Sequence, residues 1–435
     1  MYLNYKPKHV VVYSKSEYLY DIFDKVLLSL GKVFTGDDFD YRTLLKFSKK
    51  IQQVRKLYPN NTIYIDSGGY SIIVGDIPQY TIPKLIELYN YFLENYNKYF
   101  DRIFSLDIPL SLKLNINYYD KLYELNYQSQ SKTVDVIKKE KDNVKNKLYF
   151  VWQFKTKNLF RIWKDIFNEL KLYKHYNFYS VGGLVGLKNF ANIKFSGYVV
   201  PVLYTVFIYK EYYPKTFFEK HEIIPYHILG QYAAVDQLTI LVLEEFIRRK
   251  YNINFDITYD SAAIHSEFIN LKDKDLYFYN FDGTKVLTIN ELNEILDDNI
   301  HFHITNNKDI FYEVANNIKN NQRMQDIDAA RFIYGLHIVS REYEFAKYKD
   351  DIIDILLESN KNIKHKLSII QIYLQKLRSK SLILSNILTD NFINSFLNNM
   401  KALLHFSSKY DIDTKDNMMY KWIELIGLDE FIKNN

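Results

Sequence analysis

A chain of 435 residues is longer than one average domain, and an α/β barrel of about 250 residues with one appended domain would account for it. Hydrophobic residues make up 47% of the chain and charged residues 25%, which excludes compositional disorder and permits a large core. With no cysteine, disulfides, thiolate nucleophiles and cysteine-ligated zinc are excluded, while the net charge of +5 is compatible with an anionic partner without requiring one.

The N-terminal stretch MYLNYKPKHVVVYSKSEYLYD lacks an apolar segment followed by a small-residue cleavage site. Nowhere do about 18 apolar residues run without interruption. The expectation is a soluble cytoplasmic protein, in the host cytoplasm if the source is viral, with no membrane partner. The 40 Tyr and 30 Phe residues suggest aromatic platforms, but AT-rich coding bias explains the same excess.

Strands are expected at HVVVY (9–13), TIYID (62–66), RIFSLD (102–107), LYFVWQ (148–153), FYSVGG (178–183), IIPYHILG (223–230) and FDITYD (255–260). Between them, helical periodicity occupies 16–30, 81–99, 158–173 and 233–250, and an eighth strand is expected near 32–40 on a fainter pattern. Alternation of this kind predicts repeated βα units around a parallel sheet. Beyond about residue 300 the strand signals fade, and long helices such as 362–378 and 381–404 follow. The fold expected is α/β, a (β/α)8 TIM-like barrel over residues 1–300, with an additional C-terminal helical domain over 301–435 that is a candidate for nucleic-acid binding.

Two basic segments contain no acid. One carries Arg42, Lys46, Lys49, Lys50, Arg55 and Lys56, the other Lys361, Lys364, Lys366, Lys376, Arg378 and Lys380. Such runs follow a phosphate backbone or simply form solvated helix faces. Arg42, Lys46, Lys49, Lys50, Lys364, Lys376 and Arg378 are the candidate nucleic-acid-binding residues.

In a (β/α)8 barrel the interior is packed solid, so chemistry gathers where strands end and the βα loops begin. The strand ends present Asp66 with Ser67, Gly68 and Gly69, then Asp107, Gln153, Gly182 with Gly183, Gly230 and Asp260. For a flat purine-like base this set is coherent. A carboxylate accepts from ring N–H and exocyclic amine, a glutamine amide serves an oxo group, and glycines let backbone approach the ring edge. Asp107, Gln153 and Gly183 would read the base, leaving Asp66 and Asp260 for attack and proton transfer at a glycosidic carbon. Taken singly, Asp66 or Asp107 is equally well the N-cap of the following helix, and a Gly pair can serve a tight turn alone.

These residues resemble the tRNA-guanine transglycosylase superfamily. DSGGY at 66–70 is similar to that family's DSGGF, with Ser71 where the family has Gln, and VGGLVGLK at 181–188 is similar to its GGLxVGE. HILG at 227–230 and ITYDSAA at 257–263 resemble its LG strand end and the segment of its nucleophilic Asp, while LD at 106–107 and VWQ at 151–153 match its base-reading Asp and Gln. The resemblance implies Asp260 as nucleophile and Asp66 as general acid/base. It implies a base pocket of Ser67, Gly68, Gly69, Tyr70, Asp107, Gln153, Gly182, Gly183, Leu184, Leu229 and Gly230, and no cofactor or metal.

The chain departs from the tRNA enzymes of that family. It lacks the thiols of their zinc site, carries SAAIHSEF at 261–268 in place of the PTR-type loop, and has a long segment between Gly230 and Asp260. This pattern resembles the DNA-modifying DpdA branch found also in bacteriophages. The expected partners are DNA, with tRNA as the alternative, and a 7-deazaguanine base such as preQ0 or a derivative. Two other readings remain open at this point: a purine-binding module that exchanges nothing, and a barrel N-glycosidase.

Overall fold

The computed structural model describes residues 5–13, 19–20, 22–34, 39–109, 118–183, 195–231, 233–261, 276–280, 284–292, 308–320, 327–408 and 415–426. Eight parallel strands close a barrel in sequence order. They are β1 (His9–Val12), β2 (Lys25–Ser29), β3 (Thr62–Asp66), β4 (Arg102–Phe104), β5 (Leu148–Gln153), β6 (Phe178–Gly182), β7 (Ile224–Ile228) and β8 (Phe255–Ser261). Helices Tyr41–Leu57, Ile82–Tyr96, Tyr118–Glu140, Lys157–Glu169, Val199–Tyr212 and Ala234–Tyr251 alternate with the strands from β2 to β8. Helices at the C-terminus complete a (β/α)8 barrel with a helical addition.

A strand in this arrangement is buried on both faces, so it reads as a nearly continuous apolar run. β5 illustrates this: all six of its residues are buried. Phe150 and Trp152 face the helix layer, with ring centroids 5.5 Å from Trp163 and 5.0 Å from Phe167. The alternate residue Tyr149 faces inward, 5.3 Å from Phe104. Inside, the rings of Phe104 and His227 lie 4.8 Å apart although β4 and β7 are not neighbours, and Tyr64 sits 5.7 Å from His227. The barrel is filled by side chains at this level.

Three expectations need correction. The segment 16–30 is not one helix, because β2 occupies Lys25–Ser29, ahead of the expected 32–40. A short apolar run buried on both faces carries no period that separates strand from helix. Residues 31–34 turn instead, with Val33 N–H donating to Leu30 O at 2.8 Å, and 35–38 lie outside the described residues. β4 ends at Phe104, three residues early, because side chains of the helix Tyr118–Glu140 take over its backbone. Ser129 Oγ and Gln130 Nε2 donate to Leu106 O at 2.9 and 3.2 Å, and Asn126 bonds both the N–H and the C=O of Ile108. Finally, the long helix over 381–404 is two helices, Leu382–Ile387 and Asp390–Ser408, parted where Thr389 Oγ1 caps Phe392 N–H at 3.2 Å. A small antiparallel pair, β9 (Tyr277–Tyr279) and β10 (Val286–Thr288), was not anticipated.

Compactness divides the chain into two units, each of several segments. One comprises Met1–Lys25, Lys194–Val199 and Gly230–Ser408, and therefore holds β1, β8 and most C-terminal helices. The other comprises Val26–Ile193, Val200–Leu229 and Lys409–Asn435, with β2 to β7. The border expected at 300 falls within 293–307, outside the described residues. Among the described residues no helix is long and apolar enough to cross a membrane.

In the first unit, helix Ile327–Ala346 braces the barrel strands directly. The fully buried carboxylate of Glu342 accepts from Tyr5 Oη at 2.8 Å, Lys8 N–H at 2.6 Å and Tyr259 Oη at 2.7 Å. Burial raises its pKa while these three donors hold it down. In the second unit, Asp416 anchors helix Lys415–Ile426 by pairing with Lys164 and accepting from Tyr204 Oη at 3.3 Å. Glu342→Ala strands three donors in a closed interior, so denaturant unfolding is expected to show a loss of about 3 kcal/mol. A change below about 0.5 kcal/mol would mean that the tail does not brace β8.

Candidate functional site

Asp66 is the last residue of β3. Its Oδ2 accepts from Ser29 Oγ, at the end of β2, at 2.6 Å, and its Oδ1 accepts from Gly68 N–H at 3.2 Å. Ser29 Oγ also accepts from Gly31 N–H at 3.2 Å, so one hydroxyl ties the turn after β2 to the carboxylate. Gly68 has φ of 95° and packs on Gly31 so closely that a Cβ there would stand 2.6 Å from Gly31 Cα. Only glycine meets both conditions. Ser29 and Gly31 escaped the sequence reading because the segment looked helical; Gly31 behind the apolar run Val26–Leu28 was the available signal.

Gly68 precedes the short helix Gly69–Val74, which contains the backbone of Tyr70; the side chain of Tyr70 lies outside what is described. Ser67 is buried and its Oγ donates to Asp107 Oδ1 at 3.4 Å. Gly69 lies against the same carboxylate, where a Cβ would stand 3.0 Å from Oδ1. Asp107 Oδ2 accepts from Nε2 of Gln153, the final residue of β5. The Gln153 amide in turn lies on bare backbone: a Cβ on Gly182 would come within 3.0 Å of Nε2, and one on Gly183, where φ is 71°, would collide with Oε1. Leu229 N–H donates to Val181 O at 3.0 Å, and the Leu229 side chain covers the Gly182 backbone.

The result is a buried carboxylate and amide, hydrogen-bonded to each other and fenced by Gly69, Gly182 and Gly183. Asp107 is 5% exposed. Burial pushes its carboxyl up to about 7, and the Asp66 charge adds to this while the bonds from Gln153 and Ser67 oppose it. Near neutrality the group therefore exists in both forms, an acceptor when ionised and a donor when protonated.

In the first unit, Asp260 is the penultimate residue of β8, opposite Val10 of β1. It is 9% exposed, and its Oδ1 accepts from Gly230 N–H at 3.2 Å. Gly230 has φ of 77°, so the turn that offers this N–H requires glycine. The adjacent Tyr259 faces away, into Glu342 and Gln237. Leu184 and the loops over 184–194 and 262–268 lie outside the described residues.

The candidate nucleic-acid-binding residues divide. Helix Tyr41–Leu57 buries Leu44, Phe47, Ile51 and Val54 and exposes Arg42, Lys46, Lys49 and Lys50. Arg55 is engaged internally with Asp101 and with Asn61 O at 2.8 Å. On the second segment Lys364 and Lys376 are exposed, whereas Arg378 bonds Leu388 O and Asp390, and the buried Lys366 donates to Leu356 O at 2.6 Å. Among the described residues no three His, Asp or Glu side chains cluster closely enough to hold a metal ion. No protein-family model matches the chain, and no curated protein matches it.

The raised carboxyl of Asp107 has a linkage consequence. The folded state holds its proton up to about pH 7, whereas an unfolded Asp releases it near 3.8. The resulting stability is complete below the lower value and is lost as pH rises through the upper one. Asp107→Asn removes this dependence. The stability difference, variant minus wild type, is expected to rise by a few kcal/mol between about pH 4 and pH 7 in paired urea titrations. A difference independent of pH would mean that Asp107 ionises normally.

Proposed function

We propose that the chain is a guanine transglycosylase acting on DNA, exchanging guanine for a 7-deazaguanine such as preQ0 or a derivative. The observation that carries this reading is the Asp107–Gln153 pair held against the backbones of Gly69, Gly182 and Gly183. Such a pair suits the edge of a guanine-like ring. The carboxylate accepts from N1–H and the exocyclic amine, the amide donates to the oxo group, and the glycines let both side chains lie against bare backbone.

Asp260 attacks the anomeric carbon, the bond to guanine breaks, and the electron pair leaves with the base as a glycosyl-enzyme forms. Asp66 gives a proton to the departing guanine and later takes one from the incoming base, whose nitrogen displaces Asp260 and restores the original configuration. Ser29 orients Asp66, and the Gly230 amide orients Asp260. Since the reacting carbon and the base edge are buried in a duplex, the target nucleotide must be extruded from the stack. DNA is preferred over tRNA because the chain lacks the thiols and the PTR-type loop of the tRNA enzymes, and the basic outer face of helix Tyr41–Leu57 suits a phosphate backbone of either kind.

The deciding experiment incubates the protein with radiolabelled guanine and either duplex DNA or tRNA; label in DNA is expected, and label in tRNA alone reassigns the polymer. A bound base with no incorporation would leave a purine-binding module, and accumulating abasic sites would leave an N-glycosidase.

Asp260→Asn is expected to abolish both incorporation and the denaturation-resistant protein–DNA adduct, because an amide is a poor nucleophile. Asp66→Asn is expected to slow exchange by about 10²–10⁴. Undiminished adduct in Asp260→Asn, or wild-type turnover in Asp66→Asn, removes the respective role. Neutralising Arg42, Lys46 and Lys49 together should flatten the salt dependence of DNA affinity by roughly one unit of log–log slope for each phosphate left without its cation. Exchange on a short saturating substrate should survive.

A further inference from the structure

Helix Tyr41–Leu57 carries more than charge on its outer face. Tyr41 is 46% exposed and Leu45, one turn on, is 45% exposed, and the exposed Lys49 follows on the same stripe. Arg42 and Lys46 recur with Lys49 on the adjoining stripe, so an apolar edge and a cationic edge run side by side along one helix.

The apolar edge continues onto helix Ile82–Tyr96. The Tyr41 ring meets that of Tyr91 edge-on at 4.6 Å, Tyr91 lies 6.2 Å from Tyr96, and Tyr96 stacks with Tyr99 at 6.3 Å. Tyr91 is 36% exposed, while Tyr96 and Tyr99 are half-buried. Lys98 stands over the Tyr99 ring at 5.1 Å. These rings differ from Tyr179 and Tyr209, which meet at 5.2 Å with both side chains closed off from solvent. The acids along the row are engaged. Tyr41 Oη donates to Glu87 at 2.8 Å, Glu94 pairs with Lys139 and Asp101 with Arg55, and Asp40 caps the first helix by accepting from Thr43 N–H at 3.0 Å. The surface is therefore aromatic on one side and cationic on the other.

A duplex offers phosphates to such a face but hides its base faces in the stack. An unpaired strand offers both, since every base has a flat face that can cover an exposed ring while its phosphates meet the cations. We propose that this face binds unpaired DNA, with bases stacked on Tyr41 and Tyr91 and phosphates on Arg42, Lys46 and Lys49. The choice of DNA rests on the transglycosylase reading, whereas the preference for an unpaired strand rests on the tyrosine row. That preference suits a reaction whose target nucleotide must leave the stack, because extrusion unpairs the strand around it.

The test follows the anisotropy of labelled oligo-dT, a DNA duplex of equal length and oligo-U across a salt series, with wild type, Tyr41→Ala, Tyr91→Ala and Tyr41→Phe. Each alanine variant is expected to lower oligo-dT affinity about tenfold at an unchanged salt slope, because a stacked base is lost and no phosphate contact is. Duplex affinity and the thermal midpoint should hold. Tyr41→Phe, which keeps the ring and gives up the bond to Glu87, should bind oligo-dT as wild type does. Unchanged oligo-dT affinity in the alanine variants overturns the proposal, and so does an equal loss on the duplex. Tighter binding of wild type to oligo-U or to the duplex than to oligo-dT at matched salt overturns unpaired DNA as the occupant. Failure of the transglycosylase reading shows separately: no guanine label enters DNA while oligo-dT still binds through the two rings, and the docking face then stands without that reaction.

Discussion

Closure of eight parallel strands around a filled interior is the constraint on which the other features depend. Tyr64, Phe104, Tyr149 and His227 pack against one another within the barrel, as the interior of such barrels is filled by side chains. Polar groups can then meet a substrate only where strands stop. Asp66 and Gln153 are the last residues of their strands, Asp260 is one residue from the end of β8, and Asp107 stands three residues beyond the end of β4.

Strand ends must still be held in place, and partners remote in sequence do this. Asn126, Ser129 and Gln130 satisfy the backbone around Leu106 and Ile108, which fixes the exit angle of the chain that carries Asp107. Ser29 does the same for the Asp66 carboxylate. In the first unit Glu342 bonds Tyr259, the neighbour of Asp260, and Lys8 N–H at the threshold of β1. These are buried polar bonds whose value lies mainly in the penalty for losing a partner, so each fixes geometry more than it adds net stability.

The same physical cause acts on Asp107 and Lys155 with opposite sign. Burial disfavours the charged form of each, raising the acid and lowering the base. On the functional reading proposed above, a bound base relieves the first of these by donating to Asp107. Base binding and the ionisation of Asp107 are then linked, since a ligand that favours the charged form also shifts its protonation.

Much of this architecture was legible in the residues themselves. β5 is a buried run of six bounded by polar turns, so LYFVWQ and its terminal Gln153 could be placed to the residue. β3 ends at Asp66 as expected, and β6 ends at Gly182, one residue before the expected Gly183, because both sit where an apolar run meets a turn signal. Local pattern was sufficient there because each strand is buried whatever its neighbours are. It was insufficient for β2, whose KVLLS has no diagnostic period, and with β2 went Ser29 and Gly31, whose roles exist only through their closeness to Asp66 and Gly68, 37 residues onward in the case of Ser29. The helix periodicity over 381–404 likewise carried no sign of the break at Thr389, where one side-chain cap starts a new helix. Nor could composition divide the basic residues. Arg42 and Lys49 on the outer face differ from Arg378 and Lys366 only in what lies opposite them. Periodicity reports whether a face is buried, whereas the partner of a polar group is set by segments far away in the chain, and that pairing exists only once the barrel is closed.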